Sequence, residues 1–209
     1  MFRYDNPIMR FMGKAFDVLI VNLLWIICSI PIVTIGAATT AMYYVTLKIV
    51  RDEDGATISS FIGAFTKNFR QSTIIWLIML LIPILVGSYL YFYLYVIEAA
   101  EIVRSIITTV GIALLVVWVA MFNYIFPSIA RFENPIKQTI YNAFAISIAH
   151  LGNTFVMLLA DIGLTYLTFK IFPLLGFAGI AWFNSYSLQK IFSKYDDSEN
   201  ISEEGLCEE

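Results

Sequence analysis

The sequence predicts an all-α fold: a polytopic membrane helical bundle of about six transmembrane helices plus one interfacial amphipathic helix. Three observations carry this prediction. Asp, Glu, Lys and Arg are absent from five long windows, Val18 to Leu47, Gln71 to Ile97, Ser105 to Ala130, Gln138 to Ala160 and Ile171 to Gln189. A bilayer core about 30 Å thick is crossed by roughly 20 apolar helical residues. Hydrophobic residues make up 59% of the chain and charged residues 14%, with a mean hydropathy of +0.78, whereas soluble domains run near 45–50% apolar and about 25% charged. The windows are also about twice the length of a barrel strand and lack its alternation. In lipid a helix satisfies its own backbone, so helices are expected.

Arg3, Arg10 and Lys14 precede the first apolar stretch, and Gly36-Ala37-Ala38 is a small-residue site. That is the outline of a signal peptide. The stretch nevertheless exceeds the usual length of about 7–15 residues and carries Asn22 and Trp25, so it is expected to remain as a span. Asn6-Pro7 reads as a helix start, with Asn as N-cap and Pro at the first helical position. The first span is placed at 7–29 and ends at Ile30-Pro31, because proline disfavours α geometry in the residue before it. A second span follows at 37–51.

That second segment is short, so 18–47 also reads as one long crossing. Charge separates the two readings, since Lys and Arg collect on the cytoplasmic side of a membrane. A hairpin over 7–51 puts eleven basic residues inside and only Arg104 and Lys170 outside; a single crossing gives eight against five at best. The hairpin is the better solution and places both termini in the cytoplasm. The remaining spans are predicted at 72–97, 105–127, 143–169 and 171–192, the last two joined by a tight outer turn. Pro83 is expected to kink its span. Residues 1–193 thus form one integral membrane domain, followed by an acidic, disordered cytoplasmic tail at 194–209. Seven of the 16 acids lie after Tyr195, and without them the chain carries 13 basic against 9 acidic residues, or +4.

Thr57 to Arg70 is amphipathic. Ile58, Phe61, Ile62, Phe65 and Phe69 share one helical stripe, and Lys67 and Arg70 close it. This helix at 57–70 reads either as an interfacial helix on the inner leaflet, docking a partner through these residues, or as a linker packed on the bundle ends. Asn134-Pro135-Ile136 repeats Asn6-Pro7-Ile8 at an offset of 128, and Ala143-Phe144, Ile148 and Leu151 repeat Ala15-Phe16, Ile20 and Leu23. The match fits a parallel duplication or coincidence in apolar, low-diversity sequence.

Polar groups inside lipid are costly and define candidate sites. They are Asp17, Asn22, Asn123, His150, Asn153 and Asp161. Asp17 lies one helical turn after Lys14 and reads as its ion-pair partner. His150, the single histidine, reads as a proton relay or as a hydrogen-bonded packing residue. Asp161 has no basic neighbour in sequence, so it faces a wet cavity or pairs with another helix. Tyr89, Tyr91, Phe92, Tyr93 and Tyr95 read as an interfacial aromatic belt more readily than as a sugar-stacking platform. The small residues from Gly36 to Ala41 read as a site of close helix packing. Cys28 and Cys207 lie far apart in character and do not read as a disulfide. One histidine without cysteine or carboxylate clustering excludes a conventional metal site, and no P-loop or nucleophile motif is present. No enzymatic activity, cofactor or nucleic-acid partner is expected.

Asn22 to Trp25, then Cys28-Ser29-Ile30-Pro31 through Thr34, Gly36 and Thr40 to Tyr44 and Lys48, resemble the YesL-like family of multi-pass membrane proteins of mostly Gram-positive bacteria. Ser60-Phe61, Ala64-Phe65 and Asn68-Phe69 fit the same pattern, and the resemblance covers about residues 6–72. The family has no established biochemical activity or catalytic residues. Its members are often encoded near carbohydrate ABC-transporter permeases, sugar-binding proteins and polysaccharide-degrading enzymes. The resemblance therefore implies a non-catalytic accessory or regulatory component of carbohydrate uptake in the cell membrane, with permease subunits as partners. The alternative is a small secondary transporter or channel using Asp161 and His150.

Overall fold

The computed structural model describes residues 7–53, 55–95, 100–170 and 176–206, and among them the only regular elements are helices. They are α1 (Pro7–Cys28), a 3-10 turn (Ile32–Thr34), α2 (Ile35–Val50), α3 (Thr57–Tyr95), α4 (Glu101–Arg131), α5 (Ile136–Ala149), α6 (Leu151–Lys170) and α7 (Gly176–Leu206). The expected cap Asn6 lies outside the described residues. Among the described residues four helices are long and apolar enough to cross a membrane, or five if α5 and α6 form one span. The sixth predicted span, 171–192, is not among them. Residues 171–175 lie outside the described residues, and α7 carries Asn184, Ser185, Ser187, Gln189 and Lys190 in its apolar half.

The break between α1 and α2 falls at Ile30-Pro31, as the proline predicts. Thr34 crosses it, its hydroxyl lying 2.6 Å from the Cys28 carbonyl and 2.8 Å from that of Pro31. Carbonyls at a helix end need such partners. Residues 7–51 therefore fold as a hairpin of two helices. α2 is the central helix, in contact with α1, α3, α4 and α7. Its small residues allow this: Gly36, Ala37, Ala38, Thr39, Thr40 and Ala41 are all buried. A Cβ on Gly36 would sit 2.5 Å from the Trp76 Cβ and 2.6 Å from the Ser72 carbonyl oxygen. Thr40 and Ser72 share a hydrogen bond of 2.8 Å across the same contact.

α3 corrects one expectation. The amphipathic helix at 57–70 and the described part of the span at 72–97 are a single helix, Thr57–Tyr95, of 39 residues, about 58 Å long at 1.5 Å per residue. Its first turns do not form a separate surface element, because Phe61 (0% exposed) and Ala64 enter the core. Pro83 lies inside α3 without ending it. A proline has no N–H, so the carbonyl one turn earlier, that of Met79, loses its helical donor. The Trp118 indole of α4 donates to that carbonyl at 2.8 Å.

The span expected at 143–169 is also corrected. The chain turns through 95° between α5 and α6, with His150 at the corner. The Thr154 hydroxyl lies 3.0 Å from the Ser147 carbonyl and 3.1 Å from the His150 carbonyl, and the Tyr124 hydroxyl bonds to it at 2.9 Å. The first covers the Ser147 carbonyl, which an unbroken helix would pair internally; the His150 carbonyl keeps its helical donor, the Thr154 N–H, at 2.9 Å. The proposed duplicate of α1 therefore breaks where α1 runs on. At the chain end, α7 continues as helix to Leu206, where the sequence predicts disorder from 194.

Two outcomes test this packing. Gly36→Ala is expected to destabilise the purified protein by about 1–3 kcal/mol. Gly87→Ala, on an exposed face of α3 with nothing within 4 Å of the added Cβ, is expected to stabilise it by about 0.5–1 kcal/mol. Thermal melting in detergent reads both. Trp118→Phe orphans the Met79 carbonyl and is expected to cost about 1–3 kcal/mol. In a Pro83→Ala background the helix regains its own donor, so a double-mutant cycle should show most of that cost disappearing.

Candidate functional site

Charge collects at one end of the bundle. The C-terminus of α2 closes with Asp52 at φ 55, and the Glu53 N–H reaches back to the Lys48 carbonyl at 3.1 Å. This is a Schellman closure, whose left-handed residue is usually Gly or Asn. Asp52 fits the site because its carboxylate also receives Lys14 at 2.7 Å and Arg10 at 3.2 Å from α1. The Lys14 hydrogen bond and charge, with Arg10 behind them, hold the Asp52 carboxyl below the ordinary aspartate range. A cleft of about 410 Å³ opens here between Arg10, Lys14, Asp17, Lys48, Asp52 and Thr57. A second, of about 260 Å³, shares Ser60 with it and is lined by Tyr44, Lys67, Arg131 and Glu133. Lys67 pairs with Glu133, and its hydrogen bond and charge lower the Glu133 carboxyl.

Asp17 does not take Lys14, which is committed to Asp52. It accepts instead from the Thr57 hydroxyl of α3 at 2.7 Å. Of the proposed docking residues, Ile58 and Phe69 are exposed (51% and 40%), as are Lys67 and Arg70, while Phe65 is half-buried and Phe61 is withdrawn into the core. Along α3 the Phe61 and Phe65 rings stack, with centroids 6.5 Å apart, and Phe69 meets Phe65 edge to face at 5.5 Å.

The second constellation lies inside the bundle around α7. The Asn123 amide of α4 donates to one oxygen of Asp161 at 2.6 Å, and the Asn184 amide of α7 donates to the other at 2.8 Å. Asn123 and Asn184 are buried (6% and 0% exposed), and Asp161 is half-buried. Buried Tyr43 of α2 reaches the same Asn184 side chain and feels the charge of Asp161. One turn before Asn184, buried Ala181 continues the inward stripe of α7; one residue after it, Ser185 bonds Thr46 of α2 at 2.9 Å. Asn22 of α1 accepts from the Ala178 N–H at 3.0 Å. That N–H lies in the first described turn of α7, where helical donors need an outside acceptor.

Of the six intramembrane candidates, Asp17 lies apart at the charged end with Thr57, Asn123 and Asp161 meet directly, and Asn22 serves the same helix α7 from another point. His150 stands at the α5–α6 corner, eleven residues and about 16 Å along the chain axis from Asp161. Asn153 is exposed on α6 and stays outside the cluster. Asn184 and Tyr43 were missed. Asn184 lies in a charge-free window, so the criterion that flagged Asn123 also identifies it. Nothing in sequence singles out Tyr43.

Residues 18–88 match a family model described as a protein of unknown function, DUF624. The uncharacterized protein YesL of Bacillus subtilis (strain 168) is 26% identical over 163 residues, spanning 76% of this chain and 75% of that protein. No solved structure matches the chain. The two findings bear out the resemblance to the YesL-like family.

Asp52 offers a pH test. Its lowered folded-state pKa means that the Lys14 and Arg10 contacts stabilise above the unfolded aspartate pKa and are lost as pH falls through the lower folded value. Asn keeps the left-handed geometry. Asp52→Asn should therefore melt below the wild type at neutral pH, with the difference closing in acid below the usual aspartate range.

Proposed function

We propose that this YesL-like chain is a multi-pass cell-membrane protein with both termini in the cytoplasm, acting as a non-catalytic accessory or regulatory component of a carbohydrate uptake system. Six crossings are assigned: α1, α2, α3, α4, the bent pair α5–α6, and α7. The observation that carries the reading is the division of its surface. Arg10, Lys14, Lys48, Lys67 and Arg131 all border the two adjoining clefts at one end. Elsewhere many of the exposed side chains are large and apolar, such as Leu85 (57%), Ile106 (58%) and Leu159 (55%). Surface of that kind suits acyl chains, and a basic end suits the cytoplasmic side. Arg104 sits at the opposite end, donating to the Leu94 carbonyl.

The clefts and the exposed residues Ile58, Phe69 and Arg70 are the surface assigned to a permease subunit. Support for the carbohydrate system comes from the family resemblance. The second reading, a secondary transporter or channel, rests on Asp161, a carboxylate inside the bundle with no ion pair among the described residues. Its joint use with His150 finds no support in the separation of the two residues.

In a cysteine-free background, Ala100→Cys should react with an impermeant thiol reagent on intact cells and Gly55→Cys only after permeabilisation. Labelling of Gly55→Cys from outside would overturn the orientation. The full chain extracted in mild detergent should bring permease subunits with it. If it purifies alone while driving solute flux in liposomes, the transporter reading replaces the accessory one.

A further inference from the structure

Asp161 poses a problem of charge. Its carboxylate sits part-way along α6, against α4 and α7, and meets only neutral groups among the described residues: the amides of Asn123 and Asn184, with the Tyr43 hydroxyl beyond Asn184. Removing a carboxylate from water without a counter-charge is costly. Among the described residues no Arg or Lys of α2, α4 or α7 pairs with it.

The neighbouring groups are all oxygen-bearing. A half-turn of either amide exchanges its nitrogen for its oxygen with almost no change in shape. The Asn184 oxygen is buried and makes no hydrogen bond in its present orientation, so that half-turn breaks no oxygen contact. It would bring this oxygen toward Asp161. The two carboxylate oxygens, the amide oxygens of Asn123 and Asn184 and the Tyr43 hydroxyl then offer a ligand set without nitrogen or sulfur. Such sets suit hard cations. Charge selects among these. One carboxylate neutralises a single positive charge, whereas a divalent ion would leave net charge in the interior.

We propose that Asp161, Asn123, Asn184 and Tyr43 form a binding site for a monovalent alkali cation that ties α2, α4, α6 and α7 together. The site is independent of partner docking at the basic end, since a protein that purifies alone can still bind the ion.

The test is thermal melting of the full chain in mild detergent at fixed pH and ionic strength. Lithium, sodium or potassium chloride replaces choline chloride stepwise. At least one alkali ion should raise the melting temperature saturably, while choline does not. Asp161→Asn should melt at a temperature indifferent to that ion. Asn184→Ala should need about tenfold more of it for half the effect, the loss of one ligand. Should either variant fail to fold, the wild-type titration decides. If all four salts act alike on the wild type, the site holds no alkali cation and the proposal falls.

Discussion

Where the surroundings of a helix are apolar, a buried donor or acceptor is costly unless another part of the chain meets it. This constraint determines how the helices are joined. Hydrophobic burial does little to hold helices together when the surroundings are themselves apolar; close packing and hydrogen bonds between helices take over. The pairs are distributed accordingly. Trp25 reaches Thr39, Thr40 meets Ser72, Thr46 meets Ser185, and Asn123 and Asn184 meet on Asp161. The close approach at Gly36 brings α2 within range of α3, and the small side chains around it leave α2 room for three other neighbours.

The long charge-free windows and Pro31 made most helices legible, because composition and backbone chemistry act locally. What sequence missed depended on tertiary choice. The stripe of Phe61, Phe65 and Phe69 has the period of an interfacial helix, yet period alone does not say whether the apolar face meets lipid or protein. Phe61 meets protein, and α3 therefore runs on through Gln71. Lys14 and Asp17 are one turn apart, but Asp52, brought in by the closure of α2, is the better placed acceptor. Asn184 was findable by the rule that found Asn123; Tyr43 was not, because only the packing of α2 against α7 brings it to Asn184.

The corner at His150 had no local signal either. Neither proline nor glycine stands at the bend itself, although Gly152 follows it by two residues. A helix breaks here because the groups released by breaking are received elsewhere. Thr154 covers the released carbonyl of Ser147, and Tyr124 completes Thr154. The bend is thus written in residues four to seven positions away and in a second helix.

Asn123 and Tyr124 are consecutive on α4, and they hold α6 at Asp161 and Thr154. Those two positions are seven residues apart, so they lie on one face of α6, two turns from each other. Two fixed points on one face set both the rotation of α6 about its axis and its height against α4. Rotation matters because it decides what Asp161 meets: a turn of α6 by one residue, about 100°, would carry the carboxylate away from Asn123. The hydrogen bonds that make the corner at His150 therefore also aim the interior carboxylate. The bend and the polar cluster are one construction, with α4 as its fixed side.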